Sequence, residues 1–375
     1  MSNIFASFRG AKGRCIIGMK TRTAVDLFAG GGGLTLGLKQ AGFHVVGAVE
    51  IDPLAANTYR CNHPEVRLWQ TDIRSLTTNE VKRALDLRKG QLDILAGCPP
   101  CQGFTSLRTH NGSRHIEDPR NALVIEVLRF VRDLKPKVVM LENVPGLVHD
   151  AGFRQLLEEL TDLGYAREHR MLDAADFGVP QRRRRLILLA GRYGPVPFAL
   201  QSQHRVTVRH AIGAMPKAGR SGDSLHDVPE NRSDRVQQII RQIPVDGGSR
   251  VDLPTELSLA CHQRVDGFRD VYGRLRWDDV ASTITSGCVN PSKGRFLHPE
   301  EHRTITLREA SLLQGFPSTY KFDLSKGKGG VAVIIGNALP PEFIRRHAVE
   351  VRCYLDGRIA GQRQKHVQQE KLSIT

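Results

Sequence analysis

The chain has 375 residues, of which 54 are lysine or arginine and 39 are aspartate or glutamate, for a formal net charge of +15. No apolar run approaches the ~18 residues of a membrane-spanning helix, so the composition argues against a transmembrane protein and favours a polyanionic partner. Seven cysteines, an odd number, without a secretory apolar segment indicate a reducing compartment, and we expect the cytoplasm.

The chain opens with a basic segment, followed by a strand and a glycine loop. Residues 1–22 are expected to form a basic arm that contacts the polyanionic partner or is disordered, although the segment also has some features of a transit peptide. An apolar strand over 23–28 leads into four glycines, 30–33, and then a helix, the order found in nucleotide-type cofactor sites. Thr35 and Leu36 stand where the third glycine of a Gly-x-Gly-x-x-Gly motif would fall, which disfavours a dinucleotide.

Acidic residues follow the next two strands. A strand over 44–49 ends at Glu50, where an acid commonly hydrogen-bonds ribose hydroxyls, and Asp52 competes for that role. Asp72 follows a short apolar run and is expected beside a purine amino group. Each acid alone would more often cap a helix or face solvent, but together they predict one side of a cofactor site.

A cysteine after the strand over 92–96 is the candidate nucleophile. Pro99 and Pro100 hold the following residues away from a helix, so Cys101 is expected on a stiff turn at the carboxyl end of that strand. A thiolate there suits covalent catalysis. Cys98 and Cys101 also form a Cys-x-x-Cys pair, which leaves a redox dithiol open, whereas no second pair supports zinc and no metal is expected.

Charged side chains also accompany two later strands. A buried strand over 137–142 ends in Glu142, which lies at the same sheet edge as the cysteine if the strands are parallel. An arginine run then precedes the apolar strand over 185–190. Because side chains alternate faces along a strand, Arg183 and Arg185 should point one way and Arg182 and Arg184 the other, so that one pair can line the site while the other meets solvent or phosphate.

Strand and helix patterns alternate up to residue 190 and then give way to proline-split, arginine-rich sequence. Helical patterns over 121–134 and 153–163 separate the strands and predict an α/β fold, a doubly wound, mostly parallel sheet with helices on both faces. We assign 1–190 to a catalytic and cofactor-binding domain, 191–330 to a smaller recognition domain and hinge, and 331–375 to a C-terminal segment that returns to the first domain. Candidates for contacts to phosphates or bases are Arg274, Arg276, Trp277 (more often a core residue), Thr283 and Thr285.

Six motifs in order resemble the cytosine-C5 DNA methyltransferases, most closely bacterial enzymes of restriction–modification type. They are residues 26–37, Pro-Pro-Cys-Gln-Gly-Phe at 99–104, Glu-Asn-Val at 142–144, Gln-Arg-Arg-Arg-Arg at 181–185, residues 306–317, and Gly-Asn-Ala-Leu-Pro-Pro at 336–341. The resemblance implies a Rossmann-like methyltransferase fold and S-adenosylmethionine as cofactor. It implies a cofactor site formed by Asp26, Phe28, Ala29, Gly30, Gly31, Gly33, Leu34, Glu50, Ile51, Asp72, Ile73, Cys98, Pro100, Asn337 and Ala338.

The resemblance also implies roles in catalysis. Cys101 is the thiolate that attacks C6 of cytosine and makes C5 electron-rich enough to accept a methyl group. Glu142 holds N3 and the exocyclic amine, and it must carry or share a proton to donate to N3. Arg183 and Arg185 anchor the base carbonyl and stabilise charge near the sulfur. The base must leave the duplex, and residues 105–120 are expected to form a mobile lid beside it.

Three functions are compatible with these residues. A methyltransferase acting on double-stranded DNA is favoured, with its recognition sequence and any cognate restriction endonuclease left open. A transfer-RNA methyltransferase is the alternative, because Thr105 completes the Cys-x-x-Phe-Thr pattern of an RNA-acting branch of the family. A catalytically silent DNA-binding regulator is disfavoured, since Cys101, Glu142, Arg183 and Arg185 are all present.

Overall fold

A computed structural model of the protein describes residues 21–100, 123–257 and 270–357. Its centre is one sheet with strands β1 (Arg22–Leu27), β2 (Phe43–Val49), β3 (Arg67–Trp69), β4 (Ile94–Gly97), β5 (Val138–Asn143), β6 (Ala166–Asp173) and β7 (Arg184–Gly191). The strand order is β3-β2-β1-β4-β5-β7-β6. Neighbours pair in parallel, except that β7 is antiparallel to both β5 and β6.

The first half of the chain supplies α1 (Gly33–Gln40), α2 (Pro53–Asn62), α3 (Thr78–Ala84), α4 (Leu123–Leu134) and α5 (Ala151–Asp162). The second half supplies α6 (Val208–Ile212), α7 (Asp234–Gln242), α8 (Leu307–Leu313), α9 (Gly327–Asn337) and α10 (Pro341–Leu355). Short 3-10 helices lie at Pro145–His149, Ala174–Phe177, Arg250–Asp252, Thr255–Leu257 and Pro291–Lys293. No helix within the described ranges has the length and apolarity needed to cross a bilayer.

Successive residues of β1 pack on opposite faces of the sheet. Ala24 joins a buried cluster with Leu38 of α1 and Phe343 of α10. Val25, its neighbour, joins a second cluster with Phe130 of α4. This alternation is the expected consequence of strand geometry, and it places helices on both faces. The predicted doubly wound, mostly parallel sheet is therefore confirmed.

The sequence pattern did not predict the strand β6 or the antiparallel direction of β7. The edge strand β6 reads Ala-Arg-Glu-His-Arg-Met-Leu-Asp, and none of its residues is fully buried, so it lacks the apolar run that marks the central strands. The antiparallel direction of β7 carries no sequence signal of its own. The predicted helices over 121–134 and 153–163 correspond to α4 and α5, although residues 121 and 122 lie outside the described ranges.

A third apolar cluster belongs mainly to the later part of the chain. It joins Val208 of α6 with Leu275, Phe316 and Ala338, and it also includes Ala55 of α2. Its residues therefore pack against the first part of the chain at α2, while α10 lies on α1 through Ile344 and Leu38. The assignment of 191–330 and 331–375 as separate units stays a prediction.

A close backbone contact at the start of α1 gives a test of this packing. A Cβ at Gly33 would lie 2.4 Å from the carbonyl oxygen of Leu339, a backbone atom that cannot turn aside. We expect Gly33→Ala to lower the free energy of unfolding by about 1–3 kcal/mol, measured by chemical denaturation. Gly329 in α9 is the matched control, because a Cβ there meets nothing within 4 Å, and Gly329→Ala should be neutral or stabilising. Equal losses at both glycines would contradict the contact.

Candidate active site

The carboxyl ends of β1, β4 and β5 meet at one edge of the sheet, and the candidate residues lie along it. Cys98 follows β4, and its backbone N–H donates to the carbonyl of Leu27 at 3.2 Å. The side-chain amide of Asn143 donates to the carbonyl of Pro99 at 2.9 Å and fixes the following turn. Cys101, and the predicted lid at 105–120, lie outside the described residues. The turn that leads to Cys101 is thus placed beside the end of β5.

Glu142 is buried at this edge between a thiol and a guanidinium. Cys98 Sγ donates to Oε2 of Glu142 at 2.7 Å. Nε of Arg185 lies 2.8 Å from Oε1, close enough for an ion pair. The Arg185 N–H does not point along a hydrogen-bond direction, so Oε1 has no hydrogen-bond partner within the described ranges. One oxygen of the carboxyl is therefore held, and the other keeps its capacity to bind a ligand.

Arg183 is buried beside this pair. Its two terminal nitrogens donate to the carbonyls of Ile284 and Gly336, each at 3.0 Å. Burial lowers the pKa of Arg183 to about 9, and the neighbouring charge of Arg185 adds to the effect. The side chains of Arg182 and Arg184 are exposed, in agreement with the predicted alternation. Arg183 and Arg185 therefore face the carboxyl together.

Two buried glutamines tie these segments together, and our sequence analysis assigned neither a role. Gln181 and Gln314 hydrogen-bond through their side-chain amides. Gln181 also donates to the carbonyl of Leu313 at 2.9 Å and accepts from the N–H of Ile284 at 3.0 Å. Gln314 donates to the carbonyl of Ile335 at 3.0 Å. Gln181 lies in the motif at 181–185 and Gln314 in the motif at 306–317, so the sequence marked both positions. Only the tertiary structure shows that the two side chains pair.

Asp26, at the end of β1, lies beneath the glycine loop in a chain of hydroxyl groups. Thr35 donates to Oδ2 of Asp26 at 2.7 Å, and the hydroxyls of Tyr59 and Thr35 lie 2.9 Å apart. Oδ1 is buried and lacks a hydrogen-bond partner in the described part of the chain. Burial raises the pKa of Asp26 to about 7, and the charge of Glu50 contributes to the rise. Asp26 is therefore close to half protonated at neutral pH.

Glu50 bridges the glycine loop and the start of α2. Its carboxylate accepts the N–H of Gly30 and the N–H of Asp52, each at 2.7 Å. Burial raises the pKa of Glu50, and these backbone donors oppose the rise. Asp52 instead caps α2 by accepting from the N–H of Ala55 at 2.8 Å. Of the two acids that compete for the ribose, Asp52 is already used as a helix cap.

The other predicted cofactor residues are spread over the same edge. Ile51 is 61% exposed beside Glu50. Asp72 receives hydrogen bonds from Arg74, which lower its pKa. Ile73 packs in the core cluster of β1 and α4. Asn337 is exposed at the end of α9. Buried or partly buried positions are Phe28, Ala29, Gly31, Gly33, Leu34, Cys98, Pro100 and Ala338.

One predicted contact to nucleic acid is wrong. Arg274 is fully buried, and its guanidinium donates to the carbonyls of Ile243 at 3.0 Å, Ile240 at 2.9 Å and His298 at 2.9 Å. An arginine with its donors spent on backbone carbonyls is a structural tie and cannot reach a phosphate. Trp277 is also buried, in line with the core interpretation, and its indole N–H donates to Glu300 at 2.7 Å.

The raised pKa of Asp26 predicts a pH effect on stability. A buried acid with a raised pKa contributes stability that is complete below its unfolded pKa of about 4 and is lost as pH rises through about 7. We expect Asp26→Asn to flatten this loss, with a wild-type difference across pH 4–7 of up to ~4 kcal/mol. Urea unfolding at several pH values measures it. Parallel curves for the two proteins would contradict the raised pKa.

Comparison with known proteins agrees with the geometry. A family model described as C-5 cytosine-specific DNA methylase matches residues 22–352. The Type II methylase M.HgiDII of Herpetosiphon aurantiacus is 34% identical over 350 residues, covering 89% of this chain and 96% of the relative. The Type II methyltransferase M1.HphI of Haemophilus parahaemolyticus is 35% identical over 327 residues, covering 85% and 83%. The solved structure of a prophage-encoded E. coli DNA modification methyltransferase has a TM-score of 0.65 and 26% identity, covering 89% and 99%.

Proposed function

The chain belongs to the C-5 cytosine-specific DNA methylases, and we propose that it transfers a methyl group from S-adenosylmethionine to a flipped-out cytosine within a specific duplex sequence. The observation that carries the proposal is the set of buried Glu142, buried Arg183 and partly buried Arg185 beside the turn that leads to Cys101. A carboxyl and two guanidinium groups match the acceptor and donor edge of cytosine. The thiolate of Cys101 is the nucleophile in this proposal.

The residues around the glycine loop fit an adenosyl cofactor. Gly30 has φ +55°, and a Cβ there would meet nothing within 4 Å, so the backbone is open to a ligand. Glu50 lies beside it with oxygens that can accept ribose hydroxyls in addition to the backbone N–H groups. Exposed Ile51 offers an apolar surface to the adenine ring, with Asp72 assigned to its amino group. S-adenosylmethionine, when bound, supplies the methyl group.

The chemistry of the remaining residues follows from their positions. Addition of the Cys101 thiolate to C6 pushes electron density into the ring, and Glu142 offsets it by donating a proton to N3. The preorganised guanidinium groups of Arg183 and Arg185 stabilise the developing charge without reorganising. After C5 has taken the methyl group, a base removes the C5 proton and the thiolate leaves by elimination. Burial of Glu142 and Arg183 excludes water from these steps.

A basic cleft next to this site fits the phosphates of the substrate. A cavity of about 420 Å³ is lined by Thr283, Thr285, Lys293 and Arg295, and also by Asp270, which pairs with Arg295 at 3.0 Å. A neighbouring cavity of about 250 Å³ is lined in part by Arg182 and Arg276. Thr283 donates to the carbonyl of Arg182 at 2.7 Å, so the clefts adjoin the strand that carries the catalytic arginines. This surface is assigned to duplex DNA.

The curated relatives are Type II enzymes. We therefore assign this chain to the modification half of a restriction–modification system, with a cognate endonuclease that acts on the same DNA sequence. The assignment concerns a functional partner and requires no physical complex. If the assignment is correct, the enzyme methylates a short recognition sequence, and this methylation protects the sequence from cleavage by one endonuclease.

The first test follows labelled methyl from S-adenosylmethionine into unmethylated genomic DNA and, in parallel, into transfer RNA. We expect 5-methylcytosine within one short DNA motif when the product is mapped at base resolution. Cys101→Ser should lower methyl transfer by at least ~10³-fold, because the covalent step is lost, while cofactor affinity by calorimetry changes little. Label in RNA alone would support the RNA-acting alternative, and loss of cofactor binding would make Cys101 structural.

The basic cleft predicts a steep salt dependence of DNA affinity. Each phosphate contact contributes a slope of roughly −0.9 in a plot of log affinity against log salt. We expect Arg182→Gln combined with Arg276→Gln to reduce the slope by about 2, measured by fluorescence anisotropy. Arg88→Gln is the control, because exposed Arg88 precedes β4 at the opposite edge of the sheet. An unchanged slope in the double variant would remove this cleft from the DNA surface.

A further inference from the structure

The thiol of Cys98 lies against the carboxyl that the proposed reaction uses as its acid. β4 and β5 pair in parallel with Gly97 opposite Leu141. The residues that follow these two in the chain, Cys98 and Glu142, therefore lie side by side. Their side chains meet with Sγ 2.7 Å from Oε2. Glu142 is only 2% exposed, so water does not compete for that oxygen.

Cys98 is placed to act as a donor and not as a nucleophile. Burial, together with the adjacent Glu142, raises the pKa of the Cys98 thiol well above its ordinary value. The sulfur therefore keeps its proton, and the only use of that S–H within the described ranges is the bond to Oε2. A neutral donor orients the carboxyl and adds no charge of its own.

The two oxygens of Glu142 are therefore not equivalent. Arg185 approaches Oε1 at 2.8 Å without a hydrogen-bond direction, so it contributes charge and leaves the rotation of the carboxyl unspecified. Cys98 supplies the directed bond, at Oε2. With Oε2 held, Oε1 is the oxygen left for N3 and the exocyclic amine of cytosine.

Resting on the proposed function, we propose that Cys98 is a positioning residue, which holds Glu142 through an S–H bond to Oε2 so that Oε1 meets the flipped-out base. It takes no covalent part in the reaction. Substituting the side chain leaves the hydrogen bond from the Cys98 backbone N–H to the Leu27 carbonyl in place. The effect of losing the thiol can therefore be measured without disturbing the turn.

The test is a double-mutant cycle measured by single-turnover methyl transfer. Cys98→Ala and the volume-filling Cys98→Val remove the donor and should each lower the rate constant about tenfold. The Michaelis constants for cofactor and DNA, measured separately at steady state, should stay within about twofold, because the thiol bonds to Glu142 and the proposal leaves any cofactor contact at this position to the backbone. Cys98→Ser restores a donor and should recover most of the rate. Exposed Cys61 in α2 provides the control, and Cys61→Ala should match the wild type.

The decisive comparison is made in a Glu142→Gln background, where the acid is already removed. There the loss from Cys98→Ala should fall to about twofold or less, since the two residues act as one unit. An equal tenfold loss in both backgrounds, or a wild-type rate in Cys98→Ala and Cys98→Val, would overturn the proposal. If the wild-type protein forms 5-methylcytosine and Glu142→Gln does so at the same rate, the role of Glu142 itself is refuted. If the wild-type protein forms no 5-methylcytosine, the proposed function is refuted.

Discussion

The positions of Glu142, Arg183 and Arg185 at one sheet edge depend on the hydrogen bonds that stabilise the buried charge of Arg183. Removing this charge from water is costly, and the chain offsets the cost with carbonyls from two distant segments, at Ile284 and Gly336. The pKa of Arg183 stays near 9 despite burial, so the group remains charged at neutral pH. Its bonds fasten the segment after Ala281 and the end of α9 to the start of β7, and the amide pair of Gln181 and Gln314 secures the same junction.

The direction of β7 is what brings the arginines to the acid. Because β7 is antiparallel to β5, its amino end lies at the edge where β5 reaches its carboxyl end, with Glu142 opposite Ile187. The arginine run precedes β7 and so meets Glu142 there. A parallel β7 would have placed the run at the far edge. The chemistry we propose therefore depends on one reversal in an otherwise parallel central sheet.

The same edge holds two buried acids with different partners. Asp26 is bonded to a hydroxyl and pairs with no cation among the described residues, so burial dominates and its pKa rises to about 7. Glu142 has Arg185 at 2.8 Å and a thiol donor at 2.7 Å. The partners, rather than burial alone, distinguish the two acids: Asp26 lies beneath the glycine loop, and Glu142 is the acid that we propose faces the base.

The sequence by itself determined the central strands, the glycine loop, the acids at strand ends and the alternation of Arg183 and Arg185 with Arg182 and Arg184, because strand periodicity and turn chemistry are local. The six ordered motifs in the sequence were also sufficient to indicate the protein family. Only the tertiary structure decided the antiparallel β7, the polar edge strand β6, the pairing of Gln181 with Gln314, and the burial of Arg274 against backbone carbonyls. Those features arise where segments far apart in the chain compete for the same buried polar groups, and no local pattern records which partner each group finds.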